Sequence, residues 1–510
     1  MESSRSVKSA LNMLTGFASK GLTYITRFVL RTVFIYTLST EYLGVSSVFS
    51  GILTLLSLTD LGFSIALPFS LYKPLAEKDT DRINTIMRYY AKVYICLGCV
   101  VVGLGLALVP LLPYLIEETS ISNITEIYIL YVLQTAVSYF FIYRKTLIVA
   151  DQKSYIVTSI DCIGQLITCA VQVVVLLVFK SFEGYLLAGI FGILGSNIAI
   201  SRKCTQLYPY LKEKTNNRLK KEERRDMTKS IGALAVYKIA IAVESSISSI
   251  LVARILGLQV AGIWSNYQLI SFSLMGVLQI GLNSLTASIG NLINDADNAY
   301  TYKMYRILNG VSFWVYGVVS VCFVNLLQPF IRDIWLDKTF LLDDFAAIMM
   351  VLSFYVCGTQ DMNGNFRNAY GLFWEGRYRP VIMVILQIVL GALFTYFWGI
   401  AGLYIGIAVS RLLSVGILDP YIVHKYGLHK NPTRYYLMYM LYLVLAVMTG
   451  TVLYFAYSWI PANSLVMWGL KGIVLFVSAN LIYFVVCYKT DTCVYIRAKA
   501  RNILTKAKRK

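Results

Sequence analysis

The chain has 510 residues, of which 57% are apolar and only 14% charged, and its mean hydropathy is +0.64. Soluble domains carry about a quarter charged residues, so a soluble catalytic domain is excluded. The formal net charge of +19 would suggest nucleic acid in a soluble protein, but in a chain of apolar stretches it reads first as topology, and no nucleic-acid partner is expected.

Apolar stretches of the roughly 20 residues needed to cross a bilayer recur along the whole chain. They lack the alternation of transmembrane strands, so helices are expected. Fourteen spans are predicted, near 8–38, 42–72, 86–113, 125–149, 154–179, 183–201, 230–256, 259–289, 307–331, 343–370, 380–398, 400–423, 435–458 and 463–488. Arg5 and Lys8 precede the first as in a signal peptide. That stretch is too long and lacks a small-residue cleavage site, so it is kept as a span. An even number of spans puts both termini on one side. With the N-terminus inside, only Lys180, Arg332 and Lys338 of the 46 Lys and Arg fall on outside segments, so both termini are expected in the cytoplasm of a bacterial cell. The fold class is therefore all-α integral membrane: two six-helix bundles over 1–201 and 230–424, joined by a basic cytoplasmic linker at 202–229. An extra helix pair at 435–488 and a basic tail at 489–510 follow.

The two halves carry a weak internal repeat. A shift of 218 residues puts Lys20 on Lys238, Gly44 on Gly262 and Ser47 on Ser265. Six spans separate the copies, which makes the repeat parallel, with its axis along the membrane normal.

No enzyme motif is present. There is no phosphate loop ending in GK[ST]. His424 and His429 are expected to be exposed, in or beside a cytoplasmic loop with no third metal ligand near them. Asp79-Thr-Asp81 and Asp295-Ala-Asp297 have a metal-holding form but read as solvated acids at helix ends. Cys96 and Cys99 form a CxxC inside an apolar helix and read as small core residues. No metal and no cofactor is expected.

Charge inside the spans is the unusual feature. Lys20, Tyr24, Arg27 and Arg31 recur at i, i+4, i+7 and i+11 and share one face of the first helix. A cation at the bilayer centre costs roughly 2.5–3.5 kcal/mol on insertion scales. Such a face should line a watery cavity, an internal partner or an anionic ligand. Lys238 and Arg254 in the seventh helix, Arg411 in the twelfth and Lys471 in the fourteenth add to the set; snorkelling offers Lys20, Arg254 and Lys471 another account. The in-span acids Asp60, Asp161 and Glu244 either pair with in-span bases or take part in coupling to a proton or sodium gradient. The bases singled out outnumber these acids seven to three, which favours an anionic cargo. Polar runs such as SNYQ (265–268) and 38 tyrosines suit a sugar, whose hydroxyls need hydrogen bonds and whose faces stack on rings.

The run RFVLRTVFIYTLSTEYLGVSSVFSGILTLLSLTDLGFSIALPFSLYKPLAEKD (27–79) and the segment LVARILGLQVAGIWSNYQLI (251–270) resemble the polysaccharide transporter (Wzx-type flippase) branch of the multidrug/oligosaccharidyl-lipid/polysaccharide flippase superfamily. The resemblance implies two six-helix bundles around a central cavity, alternating access, and a polyprenyl-pyrophosphate-linked glycan as cargo. It implies membrane lipids, a polysaccharide polymerase and glycosyltransferases as partners. It likens Arg27 and Arg31 to cavity-facing arginines of lipid II flippases, and the helices at 435–488 to a pair that forms a lipid-tail groove there. A multidrug or cation antiporter of the same superfamily is the first alternative, with acids expected in its cavity. A membrane polymerase or ligase is the second; it would carry a large outside loop, which is not present in this sequence.

Overall fold

A computed structural model describes residues 5–57, 63–116, 120–213, 242–244, 246–283, 289–290, 292–293, 297–372 and 374–498. Among the described residues the regular structure is helical, with no strand. The main helices are α1 (Arg5–Thr37), α2 (Thr40–Leu56), α3 (Phe63–Glu77), α4 (Thr80–Ala107), α5 (Ile124–Tyr139), α6 (Ile142–Ala150), α7 (Ser154–Phe179) and α8 (Phe182–Leu207). They continue with α9 (246–256), α10 (Leu258–Asn283), α11 (Asn298–Pro329), α12 (Asp344–Thr359), α13 (Asp361–Ala369), α14 (Arg379–Leu413), α15 (Val415–Ile422), α16 (Thr433–Ala456), α17 (Leu465–Val486) and α18 (491–498).

Among the described residues nine helical stretches are long and apolar enough to cross a membrane, and the chain is a multi-pass membrane protein. These nine account for ten of the expected spans, because Arg379–Leu428 holds both 380–398 and 400–423. The two are divided at Trp398 and Gly399, where Gly399 takes φ +56°, a left-handed conformation that favours glycine. The expected fourth span breaks between α5 and α6, at Phe141 with φ +68°. The tenth breaks between α12 and α13. Much of the seventh span, and 58–62 within the second, lie outside the described residues.

Hydrocarbon surroundings explain the exposed apolar rows. On α7, Ile163, Ile167, Val171, Val174 and Val178 are exposed at spacings of three and four residues. On α17, Leu470, Val474, Val477, Leu481 and Phe484 repeat the pattern. In water such faces would be aggregation-prone patches; in lipid they carry no penalty.

The chain forms two compact units, Met1–Ser265 and Asn266–Lys510. In the first, α1 packs on α7, α7 on α8, and α4 and α8 on α5. The repeat seen in the sequence has a physical counterpart here. A Cβ on Gly44 would strike the backbone carbonyl of Leu258, and a Cβ on Gly262 would strike that of Thr40. Thr40 and Leu258 are themselves related by the 218-residue shift, so the contact is reciprocal, as at a two-fold interface. In the second unit α11 is central and meets α12, α16 and α17, while α12 packs on α14.

One expectation needs correction. Cys96 and Cys99 are exposed on α4 rather than packed in the core, because the apolar face they belong to points outward. Asp79 and Asp297 are exposed acids at helix ends, as expected, and their carboxylates accept from the backbone N–H of Arg82 at 2.9 Å and Tyr300 at 3.2 Å, capping α4 and α11.

The reciprocal glycine contact is testable. Gly44→Val and Gly262→Val are each expected to destabilise the purified protein by about 1–3 kcal/mol through overpacking. Gly103→Val, where nothing lies within 4 Å of a Cβ, should leave the thermal unfolding midpoint in detergent unchanged.

Candidate functional site

The cationic stripe of α1 belongs to the first unit. Thr23 donates to Gln165 Oε1 at 3.1 Å, and Gln165 Nε2 donates to Thr26 Oγ1 at 2.7 Å, which fixes the side of α1 that meets α7. Lys20 and Arg27 are exposed and Tyr24 is half-buried. Ile25 and Val29 are also exposed, and at 100° per residue they lie about 140–180° around the helix from Lys20. The side of α1 suited to acyl chains is therefore distinct from its cationic side. Among the described residues, no carboxylate forms an ion pair with Lys20, Arg27 or Arg31.

Arg31 is the inner end of the stripe. Its guanidinium donates to the Ser265 hydroxyl at 2.9 Å, and Ser265 in turn donates to the Gly262 carbonyl at 2.7 Å. The Tyr131 and Tyr185 hydroxyls are within electrostatic reach, and Tyr131 donates to Ser46 at 2.7 Å. One residue turn further, buried Phe34 meets Phe182 edge-on at 5.3 Å and Tyr185 at 5.6 Å. Arg31 is thus held by a neutral hydroxyl beside a cluster of packed aromatic rings.

The other expected residues fall elsewhere. Arg254 is exposed on α9, and Glu244 is half-buried upstream of it. Asp161 is bonded to Lys145 Nζ at 2.6 Å, with both side chains more than a third exposed. Arg411 is half-buried near the end of α14, in the second unit, where its carbonyl accepts from Gln360 at 3.4 Å. Lys471 is buried in α17 and donates to the Ile460 carbonyl at 3.1 Å. Lys238 and Asp60 lie outside the described residues.

The second unit adds charged groups that the sequence reasoning overlooked. Asp419, fully buried, accepts from Arg367 at 3.0 Å and from Arg379 at 2.5 Å. Asp361, at the start of α13, accepts from Gln279 at 3.0 Å and from Tyr316 at 3.5 Å. Asp361 and Arg367 fall inside the expected span 343–370 and Asp419 inside 400–423, so position alone was enough to find them. His424 corrects another expectation. It is buried, not exposed, and its Nδ1 lies 2.7 Å from the Pro420 carbonyl beneath the rings of Tyr305 and Tyr302. The helix does not stop before His424 but continues as a π-turn over Val423–Leu428 and carries the ring inward. Among the described residues no cluster of three potential metal ligands occurs.

The second unit also holds a cavity of about 730 Å³ walled by α11, α12 and α16. Its lining is mainly apolar, including Val324, Leu352 and Val447, with Lys471, Tyr355 and Gln328 as polar points. Of the expected extra pair, α16 forms a wall and α17 contributes Lys471.

No family model matches the chain, and no curated protein matches it. Solved structures do. The lipid II flippase MurJ in an inward closed conformation aligns with a TM-score of 0.65 at 14% identity, over 94% of this chain and 100% of that one. An inward-facing multidrug resistance MATE family transporter of the MOP superfamily aligns at 0.60 and 10% identity, over 80% and 94%. A MOP superfamily transporter from Pyrococcus furiosus aligns at 0.57 and 12%, over 83% and 97%. The chain therefore has the fold that these transporters share.

The buried Asp419 cluster sets a stability expectation. Asp419→Asn leaves two buried guanidiniums without their counter-charge and should cost about 3–5 kcal/mol. Lys145→Gln, at a half-exposed pair, should cost about 1 kcal/mol or less. Denaturant or thermal unfolding in detergent compares the two.

Proposed function

We propose that this protein is a flippase that carries a polyprenyl-pyrophosphate-linked oligosaccharide from the cytoplasmic to the outer face of the bacterial inner membrane, for cell-surface polysaccharide biosynthesis. The observation that carries the reading is the α1 stripe: Lys20, Arg27 and Arg31 share a face, lack carboxylate partners among the described residues, and lie opposite the exposed apolar residues of the same helix. The fold shared with a lipid II flippase supports it.

The chemistry follows from the cargo. A pyrophosphate and a sugar chain cannot enter hydrocarbon without replacing their hydration. The stripe neutralises the pyrophosphate, with Arg31 oriented by the Ser265 hydroxyl. The polyprenyl tail stays in an apolar setting. Alternating access requires similar affinity for the head in both states, since strong preference for one would trap the carrier there. A proton or sodium gradient would bias the cycle, with the in-span acids Asp60, Asp161 and Glu244 as the candidates to carry the coupling. Glycosyltransferases supply the cargo and a polymerase consumes it.

Export of cationic compounds is the second reading. Asp361, a carboxylate held by Gln279 and Tyr316, favours it, as does the fold shared with a multidrug transporter. Asp361→Asn should abolish cation export in that case and leave glycan delivery intact in the first.

Arg27→Ala and Arg31→Ala are each expected to lower outward delivery of lipid-linked glycan at least tenfold in cells. Arg31→Lys should retain part of it, because an ammonium keeps the charge but loses the planar fork. Surface labelling of the glycan at matched protein levels is the measurement. Unchanged delivery in the double Ala variant refutes the assignment.

A further inference from the structure

We infer that one end of the second unit is a docking site for an anionic phospholipid, its phosphate held by Arg377 and Lys425. The turn before α14 carries Trp374, Arg377 and Tyr378. The Arg377 guanidinium stacks over the Trp374 ring at 4.0 Å and the Tyr378 ring at 4.6 Å, and Nη1 donates to the Trp374 carbonyl at 3.0 Å. On the π-turn after α15, Lys425 lies over the Tyr421 ring at 5.4 Å and the Tyr426 ring at 5.2 Å and donates to the Tyr421 hydroxyl at 3.1 Å. All six side chains are exposed, Trp374 at 72%.

Two contacts tie the segments that carry these clusters to one another. Asp419 ties Arg367, just before the first turn, to Arg379, just after it. The Tyr370 ring lies so close to Gly427 that a Cβ there would meet it at 2.8 Å. The exposed cations are thus anchored on a buried ion cluster rather than carried on a free loop.

An ordinary aromatic belt presents rings at the headgroup level. Here each pair of rings holds a cation, and among the described residues neither Arg377 nor Lys425 has a carboxylate partner. A guanidinium stacked face-on keeps its N–H edge free for a phosphate. Lys430 is exposed on the following loop and Arg434 on the first turn of α16, with Glu375 the acid on the turn before α14, so the balance is positive and repels the ammonium of a zwitterionic lipid. Above this rim the exposed face of α14 is apolar, with Ile382, Ile385 and Val389 at helical spacing, a wall along which acyl chains can lie. Charge complementarity below an apolar wall commits the occupant to a lipid with a net negative head, and the inference stands apart from the nature of the cargo.

The test uses the full chain purified into mixed micelles of equal phosphatidylglycerol and phosphatidylcholine, with retained lipid counted by native mass spectrometry. Wild-type protein should retain phosphatidylglycerol in excess. Arg377→Gln with Lys425→Gln should lower that excess about 25-fold, at roughly fivefold per cation. Arg377→Lys should fall between, and Lys180→Gln, at an exposed site on the first unit, should match wild type. A normal thermal midpoint of the double variant in phosphatidylcholine alone verifies its fold. Equal retention of the two lipids by wild type, wild-type retention by the double variant, or loss of self-association in that variant without any lipid preference overturns the inference.

Discussion

A cation inside an apolar span has to be given somewhere to keep its charge. The surrounding hydrocarbon offers neither water nor counter-ion, and the penalty of several kcal/mol is met either by an internal partner or by a wet path. The cations of this protein stand in two kinds of setting. In the second unit Arg367 and Arg379 converge on buried Asp419. In the first unit Arg31 donates to a serine hydroxyl, and Lys20 and Arg27 stand exposed on the side of α1 away from Ile25 and Val29. The first arrangement cancels charge internally; in the second, among the described residues, no carboxylate does so.

The same logic organises the rest of the molecule. Helices turn apolar rows such as that on α7 outward, and polar side chains on their inner sides can bond across helices, as Gln165 does to Thr23 and Thr26. Where backbones come closest, at Gly44 against Leu258 and Gly262 against Thr40, glycine removes the side chain. Small residues at close helix contacts are how packing is achieved without a hydrophobic driving force between helices. The breaks at Phe141, Gln360 and Gly399 fall inside or between spans, where neighbouring helices can shield the freed backbone groups.

Much of this was legible in the sequence. The apolar runs marked the helices, and the kink at Gly399 fell at the expected gap between 380–398 and 400–423. The 218-residue shift identified Gly44 and Gly262 as equivalents before their reciprocal contact was visible. The stripe on α1 followed from spacing alone. Other features were misread because a linear pattern does not say which way a helix face points. Cys96 and Cys99 look like core residues in an apolar run yet face outward. His424 looks like a loop residue yet is carried inward by a π-turn. Asp361, Arg367 and Asp419 were within reach, since each lies inside an expected span.

The sequence by itself determined that this chain is helical and crosses the membrane many times, because length and hydropathy alone decide what hydrocarbon will accept. It also determined that one helix carries cations along a single face, because the helical period is fixed. Only the tertiary structure decided which partner each cation meets: Arg367 and Asp419 are 52 residues apart, and Arg31 and Ser265 are 234 apart. Pairing is a matter of distances of a few ångströms between side chains on different helices, and no local rule of spacing encodes that.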